Sequence, residues 1–156
     1  MILRIKPLYT PRDEESFKEI YYPMWVYIFE YTVKRRLFGD IKGGAIILVD
    51  GISGRAYLAD AFPDIERVEA EQGVLKPQIG DAKSDAIAKD KVETFLFRKF
   101  AYLRFSYSLV SKVFAYKLLW ARKEEEHYYL LDSVTGDEIE VYKIDEESKE
   151  VIDDTG

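Results

Sequence analysis

The sequence predicts an α+β protein of two related halves, each a helix plus about three antiparallel strands, packed into one domain. A turn signature occurs twice, as Val49-Asp50-Gly51-Ile52-Ser53-Gly54 and as Leu131-Asp132-Ser133-Val134-Thr135-Gly136. Each copy follows a long stretch in which apolar and aromatic residues recur with a period of two. Each of those stretches follows a segment that opens like a helix.

In both turn copies an apolar run reaches Asp, two residues intervene, and a Ser/Thr-Gly pair leads into a second run. An Asp carboxylate accepts a hydrogen bond from a backbone N–H two residues on, and glycine takes the positive φ that closes a short hairpin loop. Asp50 and Asp132 therefore read as turn formers. A catalytic or metal-binding role would need further carboxylates or histidines at ligand spacing, and neither hairpin has them.

Taken in order, Ile2 to Ile5 suits a short edge strand. Thr10-Pro11-Arg12-Asp13-Glu14-Glu15 predicts a helix start, with Thr10 capping, Pro11 in the first turn and acids at the positive end of the dipole. Pro23 ends that helix by about Tyr21. From Met24 to Lys34 the alternation predicts a strand with Trp25, Tyr27, Phe29, Tyr31 and Val33 on one face. A loop around Gly39 to Gly44 and a hairpin from Ala45 to Asp60 follow. Ile65 to Val74 is acidic and suits one or two helical turns. A second helix is expected over 85–104 with Ser84 as its cap, and Val92, Leu96, Phe100 and Leu103 share one of its faces. Phe105 to Ser111 is a connection or an extended lead-in to a strand from Val113 to Arg122, which carries Phe114, Tyr116, Leu118 and Trp120 on one side. The second hairpin completes the pattern, and 145–156 forms an acidic, flexible tail.

The repeat runs over approximately 10–68 and 81–144. Aligning Asp50 with Asp132 and Tyr27 with Tyr116 shortens the first loop of the second copy by about 7 residues. The second copy, a helix followed by two strands, the Leu131-Asp132-Ser133-Val134-Thr135-Gly136 turn and a further strand, resembles the PepSY-type module. The first copy resembles it more loosely. That resemblance implies a non-catalytic module that binds or restrains a protein partner, often near a cell surface, and supplies no catalytic residues.

The chain has 156 residues and no cysteine, which excludes disulfides, thiolate nucleophiles and Cys-based zinc sites. Its 23 basic and 29 acidic residues give a net charge of −6, unlike a protein that coats nucleic acid along its whole surface. No apolar run approaches the ~20 residues of a membrane-spanning helix, and the first residues lack the pattern of a secretory signal, so a cytoplasmic protein is expected. The only histidine, His127, lies beside Glu124-Glu125-Glu126 in an expected solvated turn. Neither a nucleophile elbow nor a phosphate-cradling glycine loop is present, and no cofactor or metal is expected.

One segregation stands out. Between Thr94 and Lys123 there are seven basic residues and no acid, so the rest of the chain carries −13. Nine aromatic residues share the span. Bases interleaved with rings suit single-stranded nucleic acid or an anionic membrane surface, while rings at helical and strand periods equally suit a core with a basic rim. The first functional expectation is a non-catalytic protein-binding or regulatory module, with an unknown protein partner or a homodimer. Its candidate anchors are Trp25, Tyr27, Tyr31, Tyr116 and Trp120. The alternative is an anionic-ligand binder that uses Arg35, Arg36, Arg98, Arg104 and Arg122.

Overall fold

The computed structural model describes residues 1–141 and shows a mixed α+β fold, with one α-helix and a mostly antiparallel sheet among them. The strands are β1 (Ile2–Ile5), β2 (Lys18–Lys34), β3 (Ile41–Asp50), β4 (Ala56–Ala59), β5 (Ile65–Val68), β6 (Arg104–Glu124), β7 (His127–Asp132) and β8 (Glu138–Val141). The helix α1 spans Asp81–Lys99. The expected tail lies outside the described residues.

The chain forms two compact units that do not follow its sequence halves. Unit 1 comprises Met1–Pro23, Asp64–Lys76 and the described part of Ala115–Gly156; unit 2 comprises Met24–Pro63 and Pro77–Phe114. The long strands β2 and β6 each run through both.

Unit 2 places α1 on the sheet face formed by β2 and β3. The predicted alternation holds: Tyr27, Phe29, Tyr31 and Val33 of β2 are buried, as are Ala45, Ile47 and Val49 of β3. β2 and β3 pair antiparallel from Met24 opposite Asp50 to Val33 opposite Ile41. Against this face the helix sets Ser84, Ala88, Val92 and Leu96, residues four apart and therefore on one side. Burying a Leu or Val of this kind contributes about 1.5–3 kcal/mol. The helix enters under the first hairpin, where the Gln78 and Ile79 N–H groups donate to the Gly51 carbonyl at 2.8 and 2.9 Å.

Among the described residues, the regular structure of unit 1 is β apart from a 3₁₀ turn at Glu14–Ser16. β1 pairs antiparallel with β5 and makes a parallel bridge to β6 at Arg4 opposite Tyr116, while β6, β7 and β8 form an antiparallel meander. Tyr21, Leu118 and Trp120 make its main core, with Tyr116, Leu131 and Val68 packed around them.

Several expectations change. The helix expected to end by Tyr21 is only the 3₁₀ turn, and β2 already begins at Lys18. Phe17, Ile20 and Tyr21 have helical spacing, but a segment this short cannot offset the cost of helix nucleation. Strand geometry gives its backbone partners instead: Tyr21 N–H donates to Gly73 O at 2.7 Å and Tyr21 O accepts from Leu75 N–H at 3.0 Å. The helical turns expected after Ile65 are replaced by β5, whose partner β1 is about 60 residues away in sequence. β1 lies between β5 and β6 rather than at an edge. The helix starts at Asp81 with Gly80 as its cap, and Ser84 lies inside, fully buried. Phe105 to Ser111 is the first part of β6.

The expected pair of helix-plus-strand halves is not confirmed: both halves carry a three-strand meander with an Asp turn, but the first has no α-helix, and the compact units cut across the halves. In register, Asp50 lies opposite Met24 and Asp132 opposite Leu119. The Tyr27-to-Tyr116 alignment is not matched by these registers, and the second hairpin has shorter arms and a two-residue loop.

Candidate functional site

The two Asp turns use the same set of bonds. Asp50 Oδ1 accepts from Ile52 N–H at 2.8 Å and Ser53 N–H at 2.9 Å, and Gly54 N–H donates to Asp50 O at 2.9 Å. Asp132 Oδ1 accepts from Val134 N–H at 2.8 Å and Thr135 N–H at 3.2 Å, and Gly136 N–H donates to Asp132 O at 2.9 Å. Gly54 and Gly136 take φ of 78° and 77°. Both carboxylates are thus engaged in turn formation, and Asp132 Oδ2 also meets Lys117 Nζ at 2.8 Å.

A polar cluster in unit 2 is the nearest approach to acid–base machinery. The Tyr27 hydroxyl lies 2.7 Å from both Ser84 Oγ and Asp85 Oδ1. Lys112 Nζ contacts Asp81, meets Asp85 at 2.7 Å, and lies over the Trp25 and Tyr27 rings. Burial pushes the Tyr27 hydroxyl up to about 12, with the Asp85 hydrogen bond adding to it against the opposing one from Ser84. Burial works against the Lys112 charge, but its bonds to Asp81 and Asp85 win and raise its pKa. The hydrogen bond from Lys112 holds the Asp85 carboxyl below its usual range. The raised values favour a protonated Tyr27 hydroxyl and a charged Lys112, and the lowered one a charged Asp85 carboxylate. The cluster instead ties the N-terminus of α1 to β2 and β6.

The predicted site residues separate. Tyr27 and Tyr31 are buried; Tyr31 packs on Phe95 and Phe100 with ring centroids at 6.2 and 5.7 Å. Trp25 is half-buried against Phe114 at 4.5 Å. In unit 1, Trp120 is buried and Tyr116 half-buried. Arg122 lies over the Phe17 and Tyr129 rings at 4.9 and 5.3 Å and pairs with Glu124. His127 is not a solvated turn residue: it begins β7, half-buried, with Nε2 at 3.3 Å from Glu124. Among the described residues no three His, Cys, Asp or Glu side chains group as a metal site, and no helix is long and apolar enough to cross a membrane.

Arg35, Arg36, Arg98 and Arg104 lie on two segments at one end of unit 2. β2 ends and β3 begins at Val33 opposite Ile41, and Ile41 packs in the same cluster as Phe100, which caps the C-terminus of α1. The β2–β3 loop and the α1–β6 turn therefore leave the same end of unit 2. Over 34–40 and 97–104 this tip carries six cations and one acid, Asp40, which pairs with Lys34 at 2.8 Å. Arg35 closes its own loop, donating to the carbonyls of Gly39 and Phe38 at 2.9 Å each.

Sequence reasoning missed the apolar half of this tip. Leu37 is 85% exposed, Phe38 78%, Phe97 67% and Tyr102 fully. Tyr102 also holds φ at 70°, a conformation that side chains other than glycine seldom adopt. A signal was present: Leu37-Phe38 is an apolar pair within a loop, and Phe97 falls off the Ala88, Val92, Leu96 face.

Compared with known proteins, the chain matches no family model, no curated protein and no solved structure. The choice among its surfaces therefore rests on charge and exposure. Unit 1 has an open groove of about 990 Å³, but its lining balances Lys18, Arg122 and Lys123 against Glu19, Glu69 and Glu71. The tip of unit 2 has no such balance.

Proposed function

We propose that the protein is a non-catalytic binding module that attaches to an anionic ligand through the tip of unit 2. One observation carries this reading: over 34–40 and 97–104, at one end of unit 2, six cations and a single acid are interspersed with exposed apolar side chains, in a chain of net charge −6. Large apolar side chains on a monomer's surface mark an interaction site, and their basic surround selects for negative charge.

Retention on an immobilised polyanion, heparin, tests the proposal. The native chain is expected to elute only as salt rises, since each contact with a charged group releases counterions. The combined variant Arg36→Ser, Arg98→Ser, Arg104→Ser is expected to elute at distinctly lower salt. Equal elution of the two would sink the reading.

The start of β6 favours a second reading, self-association. Residues 105–111 carry no charge, and Leu109 and Val110 are half exposed. β6 meets β1 only at Tyr116 and β7 only over 119–124, so one edge of its first part is without a strand partner among the described residues. Such an edge supports pairing with another chain. A concentration-dependent dimer in sedimentation, lost in Val110→Lys, is the expected result.

A further inference from the structure

We infer that the ligand of the unit 2 tip is an anionic phospholipid surface, an inference that rests on the anionic-ligand reading above. Single-stranded nucleic acid takes a groove in which successive bases stack on open ring faces. The tip offers something else. Leu37 has no ring, Phe38 lies beneath the Arg35 guanidinium at 5.8 Å, and Phe97 packs edge-on against Phe105 at 5.4 Å. The most exposed side chains, Leu37, Phe38 and Tyr102, belong to loops that end the unit rather than to the wall of a cleft. Apolar side chains at a loop end, surrounded by Arg and Lys, match a lipid interface: the apolar groups enter the boundary of the acyl chains and the cations meet phosphate at headgroup depth. Tyr102 lies in the turn from α1 to β6, closed by Leu103 N–H donating to the Phe100 carbonyl at 3.1 Å, and its ring is left fully exposed at the loop end.

The test is co-sedimentation of the full chain with vesicles of phosphatidylcholine, with and without phosphatidylserine, alongside fluorescence anisotropy with a labelled single-stranded oligonucleotide. The expected result is binding to the phosphatidylserine vesicles alone. Phe38→Glu should weaken it by about tenfold or more, because a charge replaces a ring that enters the lipid on binding. Tyr102→Gly should weaken it without lowering the melting temperature, since glycine accepts the positive φ. Leu58→Glu, at an exposed site on β4, serves as the control and should bind as the native chain does. Binding to the oligonucleotide but not to vesicles would overturn the lipid inference and leave the anionic-ligand reading standing; binding to neither would overturn both. Equal binding to phosphatidylcholine alone, or an equal loss in Leu58→Glu, would also overturn the inference.

Discussion

Tyr27 shows how one hydroxyl couples two elements. It is 1% exposed, belongs to β2, and hydrogen-bonds to Ser84 and Asp85 on α1. Removing it in Tyr27→Phe leaves the fully buried Ser84 without that partner. The expected cost is about 1–2 kcal/mol at neutral pH, read as a lower urea midpoint. The pKa raised to about 12 adds a signature. Because the folded state holds the proton more tightly than an unfolded tyrosine of pKa 10.0, the associated stability is complete below pH 10 and is lost as pH climbs toward 12. Tyr107, lifted to about 12 by burial first and then by Glu93, shares that window. Alkaline destabilisation should therefore be shallower in Tyr27→Phe, not abolished; an unchanged slope would show that the hydroxyl is not held as described.

The elements show why the repeated turn was legible and its surroundings were not. Asp-x-x-Ser/Thr-Gly specifies its bonds within six residues, so Asp50 and Asp132 could be assigned from sequence alone. β5 could not, because its strand character comes from β1, and an acidic segment bears no mark of a distant partner. Ser84 looked like a cap for the same reason: the tyrosine it meets is 57 residues away. The aromatic faces of β2 and α1 were legible as periodicity, yet periodicity could not tell that Leu37, Phe38 and Tyr102 remain exposed beside the arginines. The two turns also differ in a testable way. Asp50→Ala loses the two hydrogen bonds of its turn and should cost about 1 kcal/mol, whereas Asp132→Ala loses the same pair and also separates Lys117 from its carboxylate partner, and should cost about 2–3 kcal/mol. Urea denaturation of the two variants checks the order, and a larger loss at Asp50 would contradict it.

At the scale of the whole molecule, β2 and β6 join the units without a break in either strand. Fraying one unit therefore exposes strand backbone that continues directly into the other, and the two should melt together. The chain supplies its own probes, because Trp25 belongs to unit 2 and Trp120 to unit 1. Fluorescence-monitored unfolding of Trp25→Phe should match circular dichroism of that same variant, and likewise for Trp120→Phe. Separate midpoints for the two probes within one variant would show that the units unfold independently.

The same threading bears on heredity. Unit 2 needs residues on both sides of Asp64–Lys76, and unit 1 needs three separate stretches. No single pair of cuts in the coding sequence releases either one by itself. A recombination event that carried away the loops bearing Leu37 and Tyr102 would have to bring part of unit 1 with them. The segments that bear the tip and the intervening Asp64–Lys76 stretch of unit 1 therefore travel together in inheritance.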